Sequence, residues 1–210
     1  MAPKNKFTRA EMTAAALDVI RAGGREALTA KSLAEKLKIS TQPVFTCYGT
    51  MESLHDAVYA AAEDVYNTYA DAGLRESIPF FGLGMSYIRF AREEPELYRL
   101  LFLMPAREGK GAWDAMRASR VRVLPALQEI YRMTAPEAER YFRDLWLVVH
   151  GLATLIVTGA CSYTEEEIGH ILTGYSVSVC KAIKEIPGFT DDTYARDEVF
   201  RALIAEGGEG

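Results

Sequence analysis

Only three cysteines occur in the 210 residues, Cys47, Cys161 and Cys180, and no two of them form a CxxC pair. An odd and widely spaced set gives neither a disulfide framework nor a zinc knuckle, and it suits a reducing cytoplasm. Histidine is equally sparse, with three residues, and no glycine-rich loop is placed to cradle a phosphate. No metal site and no cofactor are expected on this basis. The basic start MAPKNKFTRAEM lacks the apolar core of a secretory signal. One uncharged stretch, Leu145 to Cys161, runs for seventeen residues. It is short for a membrane span, contains His150 and abuts Arg143 and Asp144, so a buried helix is the reading and no membrane partner is expected. His150 and Cys161 on that helix would stand about 16 Å apart at 1.5 Å per residue, too far for a shared ion or a proton transfer. No catalytic residue is assigned, and an enzyme is not expected. Strand alternation and internal repeats are missing too, which leaves an all-α chain.

What is present is an ordinary globular balance, 49% hydrophobic and 25% charged, with the charge unevenly spread. Residues 1–50 hold eight Lys or Arg against four Asp or Glu, a net +4, and the remainder holds sixteen against twenty-five, a net −9; these sum to the overall −5. A basic head on an acidic body suits a protein whose one end meets phosphate. Helical spacing at Met12, Ala16, Leu17, Val19 and Ile20 follows Thr8, a capping residue, and Gly23-Gly24 stops it. Thr29 caps a second helix over Ala30 to Leu37, Lys38-Ile39-Ser40 is a tight turn, and Ser40 or Thr41 caps a third helix of two turns. A long amphipathic helix follows from Met51 to about Gly73, with Leu54, Val58, Ala61, Val65 and Tyr69 as its apolar stripe. Prolines then punctuate helices near 79–93, 95–104, 111–133, 136–160 and 164–186, and a short one near 192–205.

Residues 29–48, TAKSLAEKLKISTQPVFTCY, meet the packing demands of a helix-turn-helix. Ala34 is the small residue needed where two short helices cross steeply. Leu33, Leu37, Ile39, Val44 and Cys47 close the little core, and Thr41, Gln42, Pro43 and Thr46 remain for a face that enters the major groove. The longer stretch LTAKSLAEKLKISTQPVFTCYGTMESLHDAV resembles the TetR (tetracycline repressor-like) pattern LTxxxLAxxLGVSxxxLYxHFxxKxxLxxAV, a likeness that spans roughly residues 8–60. PELYRLLF at 95–102 and LWLVVHGLA at 145–153 resemble one C-terminal subclass of that family, marked here by Trp146, His150 and Gly151. The resemblance implies two parts: a helix-turn-helix domain over 1–50, and a helical ligand-binding and dimerisation domain over 51–210. It implies a regulator that binds a palindromic operator in double-stranded DNA as a homodimer and is released by a small apolar effector.

Four departures fall on DNA contacts. Lys38 stands where the family has Gly, so a side chain has to accept a left-handed backbone. Phe45, Cys47 and Met51 stand for the usual Tyr, His and Lys, which removes up to three phosphate donors. Thr29, Lys31, Lys36, Lys38, Thr46 and Tyr48 remain as phosphate partners, and base readout falls to Gln42 and Thr41, with Ser40, Pro43 and Thr46 beside them. The losses raise an alternative, a protein of this fold that binds ligand but has weakened or lost DNA binding. In the body, the helices near 136–160 and 164–186 are rich in apolar and small residues and are expected to pair two protomers in a four-helix interface. Tyr87, Phe90, Phe102, Trp113, Met116 and Trp146 are expected to line the effector pocket, with His150 as a polar anchor.

Overall fold

A computed structural model describes residues 7–104 and 111–206. Among them every regular element is helical: α1 (Arg9–Gly23), α2 (Ala30–Leu37), α3 (Gln42–Tyr48), α4 (Met51–Leu74), α5 (Pro79–Glu93), α6 (Pro95–Tyr98), α7 (Ala112–Tyr131), α8 (Ala135–Val157), α9 (Glu165–Glu185) and α10 (Arg196–Glu206), with a 3-10 turn at Arg25–Ala27 and a π turn at Arg99–Leu103 that prolongs α6. Pro105, one of the punctuating prolines, lies outside the described residues.

Capping fixes most of the starts. Thr8 with Glu11, Thr134 with Glu137 and Thr164 with Glu167 form capping boxes, and at α2 Thr29 pairs with Ser32 in the same way. Each box satisfies two backbone N–H groups that a helix end leaves orphaned. The start of α3 differs from the capping expectation. Thr41 has helical dihedrals and makes no side-chain cap, and Pro43 in the first turn sets the helical φ instead. The end of α2 is a Schellman motif. Lys38 is left-handed at φ 55 and ψ 47, the Ile39 N–H donates to the Ala34 carbonyl at 3.0 Å, and the Lys38 N–H donates to the Glu35 carbonyl at 3.1 Å.

The apolar stripe of α4 begins as expected at Leu54 and Val58, then continues through Ala62, Tyr66, Ala70 and Gly73. Ala61, Val65 and Tyr69 are only half-buried. The fault lies in the choice between neighbouring apolar residues: a strict i+4 step keeps one line of contact with α5, where Gly73 and Gly82 let the two backbones meet. A Cβ on Gly82 would stand 2.2 Å from the Gly73 carbonyl oxygen, so only hydrogen fits there. Buried apolar residues form one continuous core from Met12 in α1 to Ile183 in α9, with Tyr98, Tyr141, Phe90 and Phe142 its largest fully enclosed side chains. Pro125 sits inside α7, within the helix expected near 111–133.

The uncharged stretch in α8 is not apolar-buried all round. Leu147, Gly151 and Leu155 form an exposed line along it, while Leu145, Val149, Leu152 and Ala153 face inward. No helix among the described residues is long and apolar enough to cross a membrane.

Candidate functional site

Two regions gather the functional residues. The first is the α2–α3 unit. Val44 and Tyr48 point into the core, and Gln42, Phe45 and Thr46 lie on the opposite side at i, i+3, i+4 spacing. Ser40, Thr41, Gln42 and Thr46 are exposed as expected, and Pro43 is half-buried. The Thr46 hydroxyl donates to the Gln42 carbonyl at 2.9 Å. Phe45, which sequence reasoning registered only as a missing hydroxyl, is 43% exposed on this outer face. A phenyl ring there offers apolar contact with a thymine methyl or a sugar.

Of the basic residues, Lys31 and Lys38 are exposed, Lys31 lying 3.9 Å from Glu35 in a weak surface pair. Lys36 is turned towards α1, with its Nζ 3.3 Å from Asp18. Thr29 is exposed, but its hydroxyl already serves the α2 cap. Tyr48 corrects the expectation of a phosphate contact. It is buried, its hydroxyl sits 2.7 Å from Thr13 Oγ1 and 3.1 Å from the Arg9 carbonyl, and burial pushes its pKa up. A residue four places after the buried Val44 falls on the same side of the helix, and that periodicity was the available signal. Arg9 went unnoticed in the sequence. Its guanidinium lies 4.6 Å over the Tyr48 ring and donates to the Cys47 carbonyl at 3.1 Å, which ties α1 to the end of α3.

The second region is a cavity of about 20 Å³, room for a single water, enclosed by α4, α5, α7 and α8. Its wall includes Tyr66, Phe80, Tyr87, Ser119, Phe142 and Trp146. Tyr87 and Trp146 were expected there. Phe90, Phe102, Trp113, Met116 and His150 do not line it. Phe90 and Phe102 are locked into an aromatic cluster with Tyr66, at centroid distances of 5.4 and 5.2 Å. Trp113 is 60% exposed and stacks on Trp146 at 6.2 Å, while Met116 is half-buried at the core edge. Tyr66, Phe142 and Ser119 were missed because helix phase alone does not say which inward side chains stop short of their neighbours and leave a gap.

His150 stands behind this wall rather than in it. Its ring lies flat on Trp146, 4.9 Å away with 5° between planes. Its Nδ1 is 2.9 Å from the Tyr87 hydroxyl and 3.2 Å from that of Tyr98, which also reaches Thr154 Oγ1 at 3.1 Å. Burial lowers the imidazole pKa, so the ring is neutral at neutral pH, and its Nδ1 shares a hydrogen bond with the Tyr87 hydroxyl. That buried Tyr87 phenol is itself held well above its ordinary value, chiefly by desolvation. The network fixes Tyr87 and Trp146 as walls. Among the described residues, no group of three or more His, Cys, Asp or Glu could hold a metal ion.

The two regions are mechanically joined. α4 supplies Leu54 and Val58 to the core beneath α1–α3 and Tyr66 to the cavity. Arg21 of α1 grips Glu94, between α5 and α6, through Nε at 2.8 Å and Nη2 at 2.7 Å, a forked, charge-assisted pair.

Comparison with known proteins places this geometry. Residues 80–172 match the family model described as tetracyclin repressor-like, C-terminal domain. No protein of curated function matches the chain. Among solved structures, the chain is similar to a TetR-like transcriptional regulator from Rhodococcus sp. RHA1. The TM-score is 0.61 at 15% identity, over 86% of this chain and all of that one. The two chains share an all-α fold.

Proposed function

We propose that this chain is a DNA-binding transcription regulator of the TetR type. In this reading residues 1–50 form its reading head and 51–210 its effector-binding and dimerisation body, with Trp146, His150 and Gly151 assigning the body to the Trp-His-Gly subclass. The observation that carries the reading is the α2–α3 unit. It is a helix pair whose second member turns Gln42, Phe45 and Thr46 outward from a buried Val44 and Tyr48, on a head of net charge +4. Gln42 at the start of α3 supplies a bidentate amide for adenine, Thr41 and Ser40 stand beside it, and Lys31 and Lys38 hold phosphate.

One two-turn helix makes too few contacts for useful specificity, so two heads are needed about 34 Å apart. The exposed line Leu147, Gly151, Leu155 on α8 and the exposed Gly174, Tyr175 and Val177 on α9 supply the pairing face. A Cβ on Gly151 or Gly174 meets nothing within 4 Å in the protomer, which leaves room for a partner helix to approach closely. A small apolar effector enters between α4, α5, α7 and α8, moves Tyr66, and through α4 changes the spacing of the heads; the protein acts as a cytoplasmic repressor that the effector releases.

Selection of random duplexes by the purified protein, followed by a salt titration, tests this. A palindromic consensus with a steep fall of affinity in salt is the expected result. The second reading, a ligand-binding protein that has lost DNA, is favoured by Phe45, Cys47 and Met51 and by the inward engagement of Lys36 and Tyr48. Failure to enrich any sequence at low salt would establish it instead.

A further inference from the structure

The cavity wall contains no Lys, Arg, His, Asp or Glu. An ion buried there would lose its hydration and gain no counter-charge, which costs far more than apolar contact returns. Three hydroxyls belong to the wall residues. That of Tyr87 is occupied by His150 at 2.9 Å. The other two, on Tyr66 and Ser119, have only each other among the described residues, at 3.4 Å, against about 2.7–2.8 Å for a well-made O–H···O bond. Both side chains are buried. Each hydroxyl carries one donor and two acceptor positions, so a single stretched contact leaves most of their capacity unused in an apolar place. The rest of the wall, led by Phe80, Phe142 and Trp146, offers aromatic surface.

We propose that the ligand of this cavity is an uncharged molecule with a flat apolar body and one hydrogen-bonding oxygen, which the Tyr66 and Ser119 hydroxyls hold between them. This rests on reading the cavity as the effector site. The oxygen inserts where the two hydroxyls now reach weakly for each other and replaces one long bond with two short ones. Because the cavity holds only about 20 Å³, the body of the ligand has to displace a wall. The hydroxyls it engages sit on α4 and α7, so the recognised oxygen lies at the joint between the helix that carries the head and the helix opposite.

Three probes on one skeleton separate the terms: 4-propylphenol, propylbenzene and 4-propylbenzoate. Their binding to the full-length protein is measured by calorimetry and by the fluorescence of Trp113 and Trp146, the chain's two tryptophans. The phenol is expected to bind about ten-fold more tightly than the hydrocarbon, as a buried donor–acceptor pair left unmade would dictate, with the benzoate weakest. Ser119→Ala and Tyr66→Phe each remove a hydroxyl and little volume. Both are expected to bring the phenol to within two- or three-fold of the hydrocarbon while propylbenzene affinity holds, with thermal melts confirming folded protein. A phenol preference unchanged in both variants, or a benzoate that binds as tightly as the phenol, would overturn the assignment while leaving the cavity a ligand site. No binding of any probe at millimolar concentration would overturn it together with the reading of the cavity.

Discussion

Replacing Gly82 with alanine tests the close backbone contact between α4 and α5. The added Cβ would stand 2.2 Å from the Gly73 carbonyl oxygen and 2.7 Å from Glu76 Cβ and Cγ. Glu76 Cγ can swing aside, but its Cβ and the Gly73 carbonyl are fixed by the backbone where α4 ends and α5 begins. An ordinary carbon–oxygen approach is about 3.3 Å, so α4 and α5 have to part by about 1 Å. Overpacking of that kind costs about 1–3 kcal/mol, and the helix propensity of alanine returns up to about 1 kcal/mol. The net expectation is a loss of about 1–2 kcal/mol, read as a lower urea midpoint at constant slope by far-UV circular dichroism. Gly73→Ala meets the Gly82 oxygen at 2.4 Å and should behave alike. Gly84→Ala meets Val149 Cγ2 at 3.3 Å and Leu172 Cδ1 at 3.5 Å, both side-chain methyls, and should stay within about 1 kcal/mol of the parent. A Gly82→Ala protein that unfolds at the same urea concentration as the parent would refute the direct backbone contact between α4 and α5.

The remaining tests address the head and the tyrosine network. Gln42→Ala should flatten base preference at one position of each half-site by about 1–3 kcal/mol, whereas Lys31→Ala should weaken cognate and random duplexes alike and lower the salt slope by about one; equal behaviour of the two variants in a competition assay would remove the distinction. Lys38→Gly should stabilise the fold by up to about 1 kcal/mol, because glycine accepts the left-handed backbone without the Cβ contact, and it should also reduce the salt slope if Lys38 holds phosphate. For His150, burial lowers the pKa below the ordinary 6.5, so below that pH the unfolded chain takes up a proton that the folded ring resists. Its contribution is therefore complete above about pH 6.5 and declines as pH falls towards the folded value. Urea midpoints at pH 7.5 and 5.5 should differ less in His150→Gln than in the parent; an unchanged difference would show that the ring is protonated in the fold.

The helix boundaries were largely legible because their signals are local. Thr8, Thr134 and Thr164 each stand three residues before a Glu, and Lys38 in the glycine position foretold its own left-handed backbone. What the sequence hid depends on distance in space. Ala61 and Ala62 are chemically identical, as are Val65 and Tyr66 in their apolar character, and only the contact with α5 decides that the second of each pair is buried. The spacing of Tyr48 from Val44 marks its inward side, but the presence of Arg9 and Thr13 beneath it could not be read from thirty-five or more residues away. His150 was visible as an unusual residue on an apolar helix. Its partners Tyr87 and Tyr98 lie on α5 and α6, and without them the choice between pocket anchor and wall support was open.

The arrangement of ties restricts how a message can pass from the cavity to the head. Leu54 and Tyr66 are both on the buried line of α4 and twelve residues apart, about 18 Å along a helix. A push on Tyr66 therefore acts on a rod whose near end is built into the core under α1–α3. If α4 were the only connection, the head would simply follow it. Arg21 and Glu94 add a second attachment, from α1 to the junction of α5 and α6, on the side of the cavity where Tyr87 and Phe102 pack against Tyr66. With two attachments on different helices, relative movement of α4 and α6 has to tilt the head, and in a pair of protomers joined through α8 and α9 a tilt of each head alters the distance between the two α3 helices. The size of the response is bounded by the difference in ligand affinity between the two arrangements.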